Sequence, residues 1–203
     1  MKKVFVSLLL LSSFALAEEK NKNFWGVQFG LANAKSQQSN VNISVPTHKS
    51  YRSAFLLGYE KALCQTCESE YAMRYYGLID FGTKYNNGET GSAGYHIYTY
   101  NFNFNVDLMR NFFNTGSLRY GTFSGLSFGY ADHRVKDKKQ QPNALTVSGF
   151  DLGVNAGLRI SADLFSIELY SRFGLLEQKR YTGNFIHKIR QPFQAGIRYT
   201  FVF

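Results

Sequence analysis

The stretch Tyr98-Thr99-Tyr100-Asn101-Phe102-Asn103-Phe104-Asn105-Val106-Asp107-Leu108 decides the fold. Successive side chains of a strand point to opposite faces. Here one face is wholly apolar or aromatic and the other wholly polar. A 3.6-residue period would scatter the asparagines around a helix, so the segment reads as a strand.

The alternation recurs along the chain. Trp25, Val27, Phe29 and Leu31 alternate with Gly26, Gln28 and Gly30, and Phe55, Leu57 and Tyr59 form the apolar phase of the next segment. Tyr71, Met73, Tyr75, Ile79 and Phe81 oppose Ala72, Arg74, Tyr76 and Asp80. Tyr120, Leu126, Phe128 and Tyr130 oppose Gly121, Gly125, Ser127 and Gly129, with Thr122 and Ser124 weakening the pattern. Phe150 to Ile160 opposes an apolar phase to Asp151, Gly153, Asn155, Gly157 and Arg159. Phe165, Ile167, Leu169 and Phe173 oppose Ser166, Glu168, Tyr170 and Arg172; Phe193 to Phe203 opposes Gln194, Gly196, Arg198 and Thr200. The count is eight, even as a closed bacterial transmembrane barrel requires, and each strand is long enough to cross hydrocarbon at a tilt. The expected fold is all-β: an eight-stranded antiparallel transmembrane barrel.

The start of the chain sets the compartment. Lys2 and Lys3, an apolar run from Val4, and Ala15-Leu16-Ala17 before Glu18 form a secretory signal peptide, residues 1–17, leaving residues 18–203 as a single barrel domain. No later apolar stretch suffices for a transmembrane helix. The 14 Tyr, 19 Phe and 18 Gly suit strands with lipid-facing aromatics.

Placing the N-terminus in the periplasm puts the connectors Asn33–Ser50, Lys84–Ser92, Ala131–Asn143 and Leu176–His187 outside. Lys61–Glu68, Met109–Ser117 and Ser161–Asp163 are then periplasmic turns. Pro46 and Pro142 fall in outer loops, and Pro192 near the start of the last strand.

A soluble lipocalin-like barrel would carry the same alternation with its faces reversed. Large aromatics on one phase, Gly, Asn and charges on the other, and aromatic residues at strand ends favour the membrane orientation. The ending Tyr199-x-Phe201-x-Phe203 has the form of a signal to the outer-membrane barrel assembly machinery.

The polar phase carries Arg74, Asp80, Asp107, Asp151, Arg159, Glu168, Arg172 and Arg198. Charges facing a narrow lumen must pair or be hydrated. Counting from the periplasmic turns places Glu168 beside Arg198, and Asp151 beside Arg172. The expected result is a plugged interior; the alternative is a narrow porin passing small solutes or ions.

Cys64 and Cys67, in an exported chain, are expected to form a disulfide. No second Cys/His cluster supports a zinc site, and no metal or cofactor is expected. His48, His96, His133 and His187 read as solvated loop histidines rather than catalytic residues, so an enzyme acting on envelope lipid is the least favoured alternative.

The formal charge is +9. An exported barrel has no nucleic acid to meet, so the basic balance points to outer-membrane lipid and lipopolysaccharide. The cations Arg134, Lys136, Lys138, Lys139, Lys179, Arg180, Lys188 and Arg190 make a basic outer rim able to bridge phosphates or carboxylates. A monomer is expected.

The motifs Arg74-Tyr75-Tyr76-Gly77, Tyr98-Thr99-Tyr100 leading to Asp107-Leu108, Asp151-Leu152-Gly153-Val154-Asn155-Ala156-Gly157-Leu158-Arg159 and Gly196-Ile197-Arg198-Tyr199-Thr200-Phe201 stand in an order that resembles the Helicobacter outer-membrane protein family. The resemblance runs from about Tyr51 onward. It implies a barrel in the outer membrane and modest pore activity. Large members of that family carry a long extracellular domain ahead of the barrel. This chain has no such insert, so the resemblance carries over no host-binding residues.

Overall fold

The computed structural model describes residues 21–39, 43–63, 70–86, 95–137, 145–182 and 185–203. The signal-peptide segment, Cys64, Cys67, Lys138, Lys139 and Pro142 lie outside the described residues.

The elements are β1 (Asn21–Ser39), β2 (Ile43–Ala62), β3 (Glu70–Asn86), β4 (Tyr95–Thr115), β5 (Leu118–Asp137), β6 (Leu145–Ser161), β7 (Phe165–Gly174), β8 (Glu177–Thr182) and β9 (Phe185–Val202). Each strand pairs antiparallel with its neighbour, and β9 returns to β1 over Phe24↔Val202 to Ser39↔Ile186. That last ladder closes the ring, as lipid requires of a spanning sheet, and leaves the short β8, among the described residues, as the strand without a backbone ladder on its second side. β8 adds no ninth stave. It pairs with β9 beyond the end of β7, so β7 and β8 share one place in a ring of eight.

The faces follow the alternation. Phe102 and Phe150 on the outside are 62% and 81% exposed, whereas Asp107 and Glu168 on the inside are 0% exposed. This is the reverse of a ligand-carrying soluble barrel. Thr122 and Ser124, which blur the sequence pattern of β5, lie in its outward phase.

The strands are longer than the alternation implies. β1 to β6 and β9 run to between 17 and 21 residues. Past the apolar band a paired backbone needs no apolar side chains, so the strands continue where the sequence pattern fades. The Leu176–His187 connector is corrected accordingly: most of it is the β8–β9 hairpin. Met109, expected in a turn, is buried inside the barrel, and β4 closes onto β5 through Thr115–Leu118.

Pro46 lies within β2 rather than in a loop. It falls where the β1–β2 register shifts, between Ala34↔His48 and Ser36↔Val45. Pro192 falls at the matching shift of β1 against β9, between Asn33↔Phe193 and Lys35↔Arg190. It also marks the break between the β7–β9 and β8–β9 ladders. Proline has no N–H to give a ladder, so both occupy places where the ladder is already interrupted.

Gly116 takes a φ of 67° in the two-residue turn between β4 and β5. A side chain there meets the left-handed penalty. Gly116→Val is expected to lower the unfolding free energy by about 1–2 kcal/mol. The urea midpoint of the barrel in lipid vesicles checks this. Gly77→Ala is the control, because a Cβ on Gly77 would meet open space.

Candidate functional site

Seven strands contribute to one buried charge cluster. The alternation of β7 turns Glu168 inward, where its carboxylate receives Arg74 from β3 and Arg198 from β9, the latter at 3.1 Å. Arg159 of β6 approaches Glu168 at 3.7 Å and pairs with Glu60 of β2 at 3.0 Å. Arg74 also binds Asp107 of β4 at 2.8 Å, and Asn155 of β6 donates to Asp107 at 3.3 Å. Arg198 donates to Gln28 Oε1 of β1 through Nε and Nη2, at 3.1 and 3.0 Å.

Two further pairs sit farther from the chain termini. Arg52 of β2 binds Asp80 of β3 at 2.7 Å, and Gln194 of β9 donates to both Asp80 and the Tyr170 hydroxyl. Arg172 binds Asp151 at 2.7 Å, with Ser127 accepting from its Nε at 3.3 Å. Gly153 makes this pair possible. A Cβ there would come within 2.8 Å of the Arg172 guanidinium.

Five guanidinium groups (Arg52, Arg74, Arg159, Arg172, Arg198) thus meet five carboxylates (Glu60, Asp80, Asp107, Asp151, Glu168). The cluster is neutral as a set, which suits groups taken out of water. Aromatic rings also hold the guanidiniums. Arg74 lies 5.0 Å from the Phe123 centroid and 5.2 Å from that of Tyr76, and Arg198 lies 5.3 Å from that of Tyr170. Toward the terminal rim the arginines rest on an apolar floor of Phe24, Leu56, Ala72, Met109 and Phe123. Ile97, Val147 and Ile189 are buried toward the opposite rim. Among the inner polar side chains, a void of about 10 Å³ remains beside Asn103, Asn155 and Arg172, room for roughly one water.

All eight charges read from the polar phase are buried in this interior, and both expected pairs, Glu168–Arg198 and Asp151–Arg172, are present. The sequence reading missed Arg52 and Glu60. Extending the alternation one residue past Tyr59, and back from Phe55 to Tyr51, puts both on the inner face. It also missed the inward Phe24, which precedes Trp25 by one residue.

His133 needs correction: it is no solvated loop histidine but is 2% exposed, with Nδ1 3.0 Å from Thr99 Oγ1. The extra length of β5 carries it inside. His96 and His187 lie on β4 and β9, and His48 lies on β2.

Arg134, Lys136, Lys179, Arg180, Lys188 and Arg190 all lie toward the rim opposite the termini. Tyr199, Phe201 and Phe203 are exposed on the outside at the terminal end, Phe201 stacked on Trp25 at 4.7 Å.

Glu168 is the anion shared by the most arginines. Glu168→Gln leaves Arg74 and Arg198 short of a carboxylate in a closed interior. The expected cost is about 3–5 kcal/mol, read from equilibrium urea unfolding in vesicles.

Comparison with curated proteins gives no match. Among solved structures, the chain is similar to Neisserial surface protein A (16% identity, 86% of this chain and 95% of that one, TM-score 0.46). It is also similar to a major outer membrane protein from Thermus thermophilus (12% identity, 89% and 99%, TM-score 0.49). The family model described as Helicobacter outer membrane protein matches residues 54–203, which take in β3 to β9, the second half of β2 from Ala54 and nine of the ten charged residues of the cluster. The chain therefore belongs to the Helicobacter outer membrane protein family and is a β-barrel of the bacterial outer membrane.

Proposed function

We propose that this protein is a plugged integral barrel that contributes to envelope structure or surface contact rather than to solute passage. The observation that carries this reading is the interlocked cluster around Glu168, with space for roughly one water among its polar neighbours. A hydrated ion needs a continuous water-filled path. Here the guanidiniums and carboxylates crowd the interior and pair with one another, so an ion would have to displace a charge from its partner.

The narrow-porin reading requires the Arg74–Glu168–Arg198 contacts to part. Parting them would leave Arg74 and Arg198 with Asp107, and Glu168 with Arg159 at 3.7 Å. The reading is also non-enzymatic. The buried His133 meets Thr99 on an inner face, away from lipid.

In this reading the termini face the periplasm, the longer strand extensions face outward, and the protein acts as a monomer in outer-membrane lipid. Tyr199, Phe201 and Phe203 present the terminal strand to the barrel assembly machinery. Single-channel recording of the folded barrel in a planar bilayer tests the plug. A silent bilayer is expected; reproducible discrete steps that change in Glu168→Gln or Arg198→Gln would establish the porin instead.

A further inference from the structure

The hairpin of β8 and β9 places Lys179 directly opposite Lys188. Like charges facing each other across a ladder repel. Glu177 reaches both, but only at 3.7 and 4.0 Å, the long end of an ion pair. Arg190 stands opposite Glu177 on the same ladder. This outward face therefore holds more cation than its own carboxylate balances.

The same region interrupts the barrel wall. The β6–β7 ladder ends at Gly153↔Gly174, and above it β8 forms its ladder with β9 alone. Across the gap to β6, Gln178 Nε2 donates to the Phe150 carbonyl at 3.0 Å and Arg180 Nη1 to that of Thr146. Beyond the Leu175 N–H bond to the Leu152 carbonyl at 2.8 Å, the described residues of the seam are held by side chains, where the neighbouring ladders are held by backbone.

On the far side of the seam, β5 turns Arg134 and Lys136 outward; Arg134 engages Asp132 through Nε at 3.0 Å, which leaves its two terminal nitrogens to face an anion. Arg134 lies 5.3 Å from the Tyr100 ring centroid and Lys136 5.6 Å from that of Tyr98. Just toward the membrane lie the exposed rings of Tyr130, Phe150 and Phe173, with Phe193 packed against Phe173 at 5.2 Å. Cations immediately beyond an aromatic girdle stand at headgroup height. From β5 to β9 is three strand spacings, about 15 Å, a span suited to a headgroup with separated phosphates.

We propose that the outward face from β5 to β9 binds a phosphorylated glycolipid of the outer leaflet across this seam. Lys179 and Lys188 take one phosphate and Arg134 and Lys136 another, while acyl chains lie over Phe150 and Phe173. The anion relieves the lysine repulsion and braces a wall that lacks its backbone ladder. The proposal rests on the orientation given above, with this rim facing out, and not on the plug.

The test uses the full folded barrel in detergent with diphosphorylated lipid A and with its dephosphorylated form, followed by native mass spectrometry and thermal unfolding. The phosphorylated lipid is expected to bind at least about tenfold more tightly, a modest return for charge-assisted contacts, and to slow hydrogen exchange in β8. Lys179→Gln with Lys188→Gln is expected to abolish that preference, yet to leave the lipid-free barrel unfolding no earlier than wild type, because the repulsion is gone. Lys61→Gln, at the terminal rim, should leave binding unchanged. Equal binding of the two lipids, an unaffected double variant, or the same protection from inorganic phosphate alone would overturn the proposal. Loss of binding in Lys61→Gln instead would overturn the orientation with it, whereas bilayer conductance reports on the plug independently.

Discussion

Glu168 sits with no exposed surface between Arg74 and Arg198, and the interior is organised around the need to keep that carboxylate matched. A narrow ring of strands offers neither bulk water nor room for a long side chain to turn away. Each charge admitted must therefore arrive with its partner. That requirement explains why a carboxylate on β7 depends on arginines from β3, β6 and β9. It also explains why Asp107 and Gln28 take further donors of Arg74 and Arg198, although the Nε of Arg74 stays without a hydrogen-bond partner. The lipid-facing side demands only apolar surface and tolerates substitution of one large ring for another. The inner side is specified residue by residue.

Much of this was legible in the sequence because strand periodicity assigns a face to every residue. From Tyr98 to Leu108 the assignment is unambiguous, and it carried Asp107 inward correctly. The pair Glu168–Arg198 follows once the turns fix the register, whereas Arg172 stands opposite Asn155 and reaches Asp151 farther along β6 through its long side chain. What was hidden lay where the apolar phase stops. His133 and the β8–β9 hairpin occupy polar extensions in which alternation leaves no trace, since both faces meet water or polar neighbours. The aromatic floor was hidden for another reason. Phe24 and Phe123 stand in the inward phase, but a reading that expects small or polar residues inside gives aromatic ones no place there. In the structure they serve as platforms for guanidinium groups.

The two prolines and the β7–β8 break show how the wall accommodates irregularity. Pro46 and Pro192 flank β1 from either side, each beside a register shift. The missing ladder between β6 and β8 lies toward the same rim. Defects that would be costly in hydrocarbon are thus gathered where the wall leaves it.

The closing ladder between β1 and β9 bears on how the barrel forms. Every other ladder joins segments near in sequence, and such contacts form early at low entropic cost. The closing one joins residues as far apart as Gln28 and Arg198, 170 positions along the chain. Arg198 reaches Gln28 only across that ladder, so the charge cluster reaches its full set of partners when the ring shuts. A half-closed intermediate would hold arginines without all their acceptors in a membrane that cannot hydrate them. Closure and charge matching therefore make one cooperative event, and the chain has little to gain from lingering short of it.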